Sequence, residues 1–155
     1  MAANHRDTYD YACYLAGLAF YRQRKYPEAI EWLIKAEKEE VTDAPLFLAD
    51  SCAGVAMELW NKVRYYSIPG EFAEGVKMVK AHLFLAIEKY MVGADASPNL
   101  INNDLWLGFG RMALLLYNLS SSGVLDADEL NGDSLMERVL PNPLRIDMVF
   151  PMRNW

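Results

Sequence analysis

Apolar residues recur along this chain at intervals of three and four, and proline, glycine or serine interrupts them at short distances. That spacing places one apolar stripe on a helix. The first such segment covers about 6–24 and breaks at Lys25-Tyr26-Pro27, where Pro27 is pre-set for a first helical turn. A second covers 27–40, with Ala29, Ile30, Leu33, Ile34 and Ala36 on one face and Glu28, Glu31, Lys35 and Lys38 on the other. Thr42-Asp43 predicts the cap of a third helix with Pro45 in its first turn. That helix reaches about 66 and ends at Ser67-Ile68-Pro69-Gly70. A fourth is predicted over 71–92, with Gly93 as a left-handed C-cap. Ser97-Pro98 is read as the opening of a fifth helix that runs to about 120 and breaks at Ser121-Ser122-Gly123. Asp126-Ala127-Asp128-Glu129 has capping-box spacing and predicts a short sixth helix over 126–139.

No segment alternates as a strand between hairpin turns. The segment 141–155, with three prolines and a Leu-Arg-Ile-Asp-Met-Val-Phe run, is expected to be an extended tail docked on an apolar groove of its own or a neighbouring subunit. About six helices with short connections predict an all-α stack of antiparallel hairpins over 1–140, followed by that tail. The third and fifth helices are apolar on most of their circumference, as in Leu46-Phe47-Leu48-Ala49 and Met112-Ala113-Leu114-Leu115-Leu116, and are expected between neighbours.

The first hairpin carries the most specific pattern. Cys13 takes a large position, Ala16-Gly17 a small pair and Phe20 an aromatic one; Tyr26 stands at the turn, and Ala29, Leu33 and Ala36 follow on the second helix. Over residues 8–41 this resembles one tetratricopeptide repeat (TPR), with Val41 where that family has a proline. Beyond that repeat the resemblance fades, and degenerate or lengthened hairpins are expected. The resemblance implies a TPR-like α–α superhelix and a protein-binding groove lined by the first helix of each pair.

On that helix the face flanking the packing stripe carries Tyr11, Tyr14, Leu18 and Tyr21 in one line, with Arg22 beside it. These five are the candidate partner-binding residues. Tyrosine suits recognition because it brings a large rigid contact and a hydroxyl. The same stripe would equally pack against helix three or the tail, or form a homodimer seam. At the helix-one positions where carboxylate-clamp members of the family carry Lys and Asn, this chain has Tyr14 and Leu18. An apolar or amphipathic segment is therefore the expected ligand, and chaperone tails are not. The cluster Arg22-Gln23-Arg24-Lys25 either complements the end of its own helix or forms a rim for an acidic partner.

Composition narrows the class. The 155 residues are 53% hydrophobic and 23% charged, enough for one folded domain. A net charge of −6 excludes the basic footprint of a nucleic-acid binder and disfavours anionic membranes. Residues 1–10 lack the apolar run of a secretory signal, and 105–119 is too short to span a bilayer, so a cytoplasmic protein is expected. Cys13 and Cys52 fall in apolar patterns and read as small buried hydrophobes.

His5 and His82 have no ligands at metal spacing, and no phosphate loop or nucleophile elbow is present, so neither cofactor nor metal is expected. Asp126, Asp128, Asn131 and Asp133 with Gly132 depart from a calcium loop because Arg138 stands where its glutamate belongs. Asp50, Asp104 and Arg111 are the polar residues expected within the stack, as an ion pair setting helix register or, less simply, as a catalytic group. The expectation is a non-enzymatic interaction module, an adaptor or small chaperone. An acidic inhibitor or immunity-type protein that masks a basic surface through Glu37, Glu39 and Glu40 is the alternative.

Overall fold

The computed structural model of the chain describes residues 2–100 and 102–124, with side chains from residue 11 onward except 103. Among these residues there are five α-helices and no strand: α1 (Ala2–Arg22), α2 (Tyr26–Lys38), α3 (Ala44–Val63), α4 (Pro69–Ala96) and α5 (Asn103–Ser121). The sixth helix expected over 126–139, the tail over 141–155 and the acidic segment around Asp126 lie outside the described residues.

Three helices end in one motif. At the end of α1 the amide of Arg24 donates to the Tyr21 carbonyl at 2.9 Å and that of Lys25 to Phe20 at 2.9 Å, with Arg24 at φ 60°. After α2, Glu40 at φ 66° donates to Glu37 and Val41 to Ala36 at 2.9 and 3.1 Å. After α5, Gly123 at φ 79° and Val124 repeat the pattern on Ser120 and Leu119. This Schellman arrangement satisfies carbonyls that the helix leaves without partners. Only α5 uses glycine for it. Arg24 and Glu40 place a Cβ in the left-handed region, at a cost of roughly 1–2 kcal/mol each.

Two boundaries differ from the sequence expectation. Gly93 does not end α4, which continues to Ala96. A Cβ on Gly93 would lie 2.6 Å from Leu46 Cγ and 3.0 Å from the Leu46 nitrogen, so its lack of bulk lets α4 touch the α3 backbone. Ser97 closes α4 instead of opening α5: its amide donates to the Gly93 carbonyl at 2.8 Å and its hydroxyl to Asp43 Oδ1 at 2.8 Å. Asp43 makes no cap bond to α3, since its own backbone is already helical at φ −86° and ψ −11°. The cap of α5 is Asn102, whose Oδ1 accepts from the Leu105 amide at 3.0 Å.

Each helix packs on the next, most extensively α3 on α4, then α1 on α2 and α2 on α3. In addition α3 touches both α1 and α5, so α1, α3 and α5 share one side of the molecule. The core is continuous through Cys13, Leu33, Leu46, Cys52, Leu83, Ile87, Tyr90, Met112 and Leu119, each at most 1% exposed. A fully buried leucine of this kind contributes about 1.5–3 kcal/mol. The small residues of the first hairpin act as their spacing predicts: a Cβ on Gly17 would meet Leu33 Cγ at 2.6 Å, and Ala29 and Ala36 are buried. Glu28, Glu31, Lys35 and Lys38 face solvent on α2. The apolar circumference of α3 is covered, whereas on α5 Leu107, Leu114 and Tyr117 are exposed. Both cysteines are buried and free.

Candidate functional site

The helix-one tyrosines are divided between core and surface. Tyr14 is 7% exposed and Leu18 8%, both within the core, while Tyr11 is 57% exposed. Phe47 of α3, itself partly buried, packs on Tyr14 and Tyr21. The Tyr14 and Tyr21 rings meet it edge-on at centroid distances of 6.2 and 5.3 Å. Tyr11 stacks obliquely on Tyr14 at 5.9 Å, and Tyr21 on Tyr26 at 6.4 Å. The stripe thus continues through Phe47 as an aromatic row along α1 and α3, open at its Tyr11 end. Such tilted and edge-on pairs contribute about 0.5–1.5 kcal/mol beyond the area they bury. Arg22 is exposed beside the row, and burial pushes the Tyr14 hydroxyl up to about 12.

Asp50 marks where the row meets a polar centre. Its two carboxylate oxygens accept from two hydroxyls, Oδ2 from Tyr21 on α1 and Oδ1 from Tyr90 on α4. Burial, together with the carboxylate beside them, raises both phenols well above their ordinary range. One side chain of α3 therefore ties three helices together without a cation. Gly108 of α5 lies directly over the group: a Cβ there would be 2.2 Å from Tyr90 Oη and 2.3 Å from Asp50 Oδ1. The ion pair expected among Asp50, Asp104 and Arg111 is absent among the described residues, and Asp104 and Arg111 are both exposed.

A cavity of about 230 Å³ opens beside this centre, between the α1–α2 turn, α3 and α5. Tyr26 and Gly54 form one wall, with the Tyr26 ring against the Gly54 backbone; Met57 and Met112 add apolar surface. Arg24, Arg111, Asp50 and Glu58 also line it. Of the five candidate residues read from the sequence, none lines this cavity; Tyr21 reaches it only through Asp50. Gly54, Met57, Gly108 and Met112 were not singled out for this role, because nothing local in a helix shows which face a non-adjacent helix will share. Arg24 carries the only local signal, a long side chain at a helix stop where glycine is usual.

Elsewhere polar groups hold helices together. Lys89 Nζ of α4 lies 2.6 Å from Glu37 Oε1 of α2, and Glu37 Oε2 is buried with no partner among the described residues. Of the three glutamates read as an acidic face, Glu37 is therefore engaged internally. Burial, the largest influence, pushes the neighbouring Cys52 thiol up to about 12. His82 bonds through Nδ1 to the Met78 carbonyl of its own helix at 2.8 Å. Among the described residues no group of acidic, histidine or cysteine side chains is arranged to hold a metal, and no helix is long and apolar enough to cross a membrane. Comparison with protein-family models, curated proteins and solved structures finds no match to this chain.

Proposed function

We propose that this protein is a non-enzymatic interaction module of the cytoplasm, an adaptor or small chaperone, whose helices stack in a TPR-like manner. The side shared by α1, α3 and α5 receives an apolar or amphipathic segment of a protein partner. The observation that carries this reading is an aromatic row that is exposed at Tyr11 and whose other end, Tyr21 against Tyr26, adjoins a cavity walled by Tyr26, Met57 and Met112. Methionine-lined surfaces adapt to irregular apolar ligands, and aromatic rows provide rigid contact area. Leu107 and Leu114 extend the exposed apolar surface along α5. An anchored segment of this kind is recognised through a few side chains at helical or extended spacing.

Affinity purification tests the reading with two variants. Met57→Glu combined with Leu114→Glu places charge on the proposed surface, whereas Met78→Glu changes an exposed apolar residue of α4. The expected result is a partner that co-purifies with the wild type and with M78E and is lost from M57E/L114E, with helical circular dichroism unchanged in all three. Equal recovery of the same partner by M57E/L114E would refute the groove.

A further inference from the structure

Two cations, Arg24 and Arg111, and two carboxylates, Asp50 and Glu58, line one cavity. Arg24 sits at φ 60° in the α1–α2 turn, a position that glycine adopts more easily. Arg111 follows Gly108 by three residues on α5 and lines the same space. Neither guanidinium pairs with a carboxylate among the described residues. Of the two carboxylates on the wall, Asp50 already accepts from Tyr21 and Tyr90 through both oxygens, and Glu58 is exposed on α3.

The size of the space limits its occupant. About 230 Å³ is far more than the ~15 Å³ one water needs and less than the roughly 300–1,000 Å³ of sites for whole small molecules. It suits one or two side chains of a longer chain. Met57 and Met112 give the methylenes of such a side chain an apolar wall.

We propose that this cavity takes a carboxylate of the bound segment, seated between Arg24 and Arg111; the proposal rests on the groove reading above and specifies its anchor. A guanidinium matches a carboxylate through parallel N–H···O bonds, which gives direction as well as charge.

Short random peptides displayed on phage, panned on the full chain, provide the probe. One library presents a free carboxyl terminus and the other is fused through that end. The wild type is expected to enrich peptides with an acidic group at one fixed position. Enrichment of Asp or Glu in both libraries assigns the carboxylate to a side chain, and enrichment confined to the first assigns it to a chain terminus; either supports the proposal. Synthetic copies should bind R24Q/R111Q at least tenfold more weakly than wild type. Replacing the peptide's acid by its amide should cost the wild type the same factor and the double variant nothing further. R24G separates binding from folding: it should melt at or above the wild-type temperature and still lose the acid preference.

Enriched peptides without an acidic position would overturn the carboxylate anchor and leave the groove standing. An acid preference retained by R24Q/R111Q would overturn the assignment to these two arginines. No enriched peptide in either library would overturn the groove reading and the anchor with it.

Discussion

Gly17 and Leu33 meet where α1 crosses α2, and the contact leaves no room for a methyl group. A Cβ at Gly17 would lie 2.6 Å from Leu33 Cγ and 3.3 Å from its backbone nitrogen, and Leu33 is fully buried, so the clash cannot be relieved outward. Gly17→Ala should therefore lower stability by about 1–3 kcal/mol. Gly70, in the first turn of α4, has nothing within 4 Å of the same built atom, and Gly70→Ala should raise stability by about 0.4–1 kcal/mol through the unfolded chain. Paired thermal melts check both; a neutral Gly17→Ala would show that the helices separate without cost. Gly17 was legible beforehand because it falls between apolar positions at helical spacing. Gly93 has the same role against Leu46, yet from the sequence it looks like a helix stop. A glycine's reason becomes visible only when the neighbour that needs its missing side chain is known.

Between elements, the ion pair of Lys89 and Glu37 joins α4 to α2 through residues fifty-two positions apart. Both side chains are about a quarter exposed or less, at 21% and 27%, and one Glu37 oxygen already has no partner among the described residues. Lys89→Met alone leaves a half-buried carboxylate without its cation and should destabilise by about 1–3 kcal/mol. Adding Glu37→Leu removes the stranded charge, and the double variant should return to within about 1 kcal/mol of wild type. Urea midpoints of the three variants test this, and equal loss in the single and double variants would contradict it. Helix existence, and the polar face of α2, followed from periodicity. The start of α5 did not. Ser97-Pro98 has the residue types of a helix opening, but its hydroxyl is held by Asp43 across the α2–α3 turn and the cap falls to Asn102. Capping chemistry is local, whereas competition for the capping group is not.

At the scale of the whole molecule, four groups among the described residues ionise later in the fold than free in solution. Burial, the largest cause for each, raises Tyr14 from 10.0 and Cys52 from 9.0 to about 12, and raises Tyr21 and Tyr90 as well. For such groups the unfolded chain loses its protons first. Their contribution is complete below the unfolded values of 9.0 and 10.0 and is lost as pH rises through the folded values near 12. Stability against urea should thus hold to about pH 9 and fall steadily above it, with late tyrosinate absorbance appearing together with unfolding. Constant stability up to pH 12 would contradict the burial of these groups. The same burial should keep both cysteines unreactive toward thiol reagents until denaturant is added.

The sequence by itself determined the all-helical class, the positions of the first four helices to within a few residues, the close crossing of the first hairpin and the burial of both cysteines. Those properties depend on spacing within one helix or between neighbours in the chain. Only the tertiary structure decided that Phe47 packs on Tyr14, that Asp50 is held by two tyrosines instead of an arginine, and that Arg24 and Arg111 border one cavity. Each of these brings together residues from segments that are not consecutive along the chain, α1 with α3 or the α1–α2 turn with α5. Periodicity specifies which face of a helix is apolar, but the relative placement of two stripes is set by how all the helices pack at once.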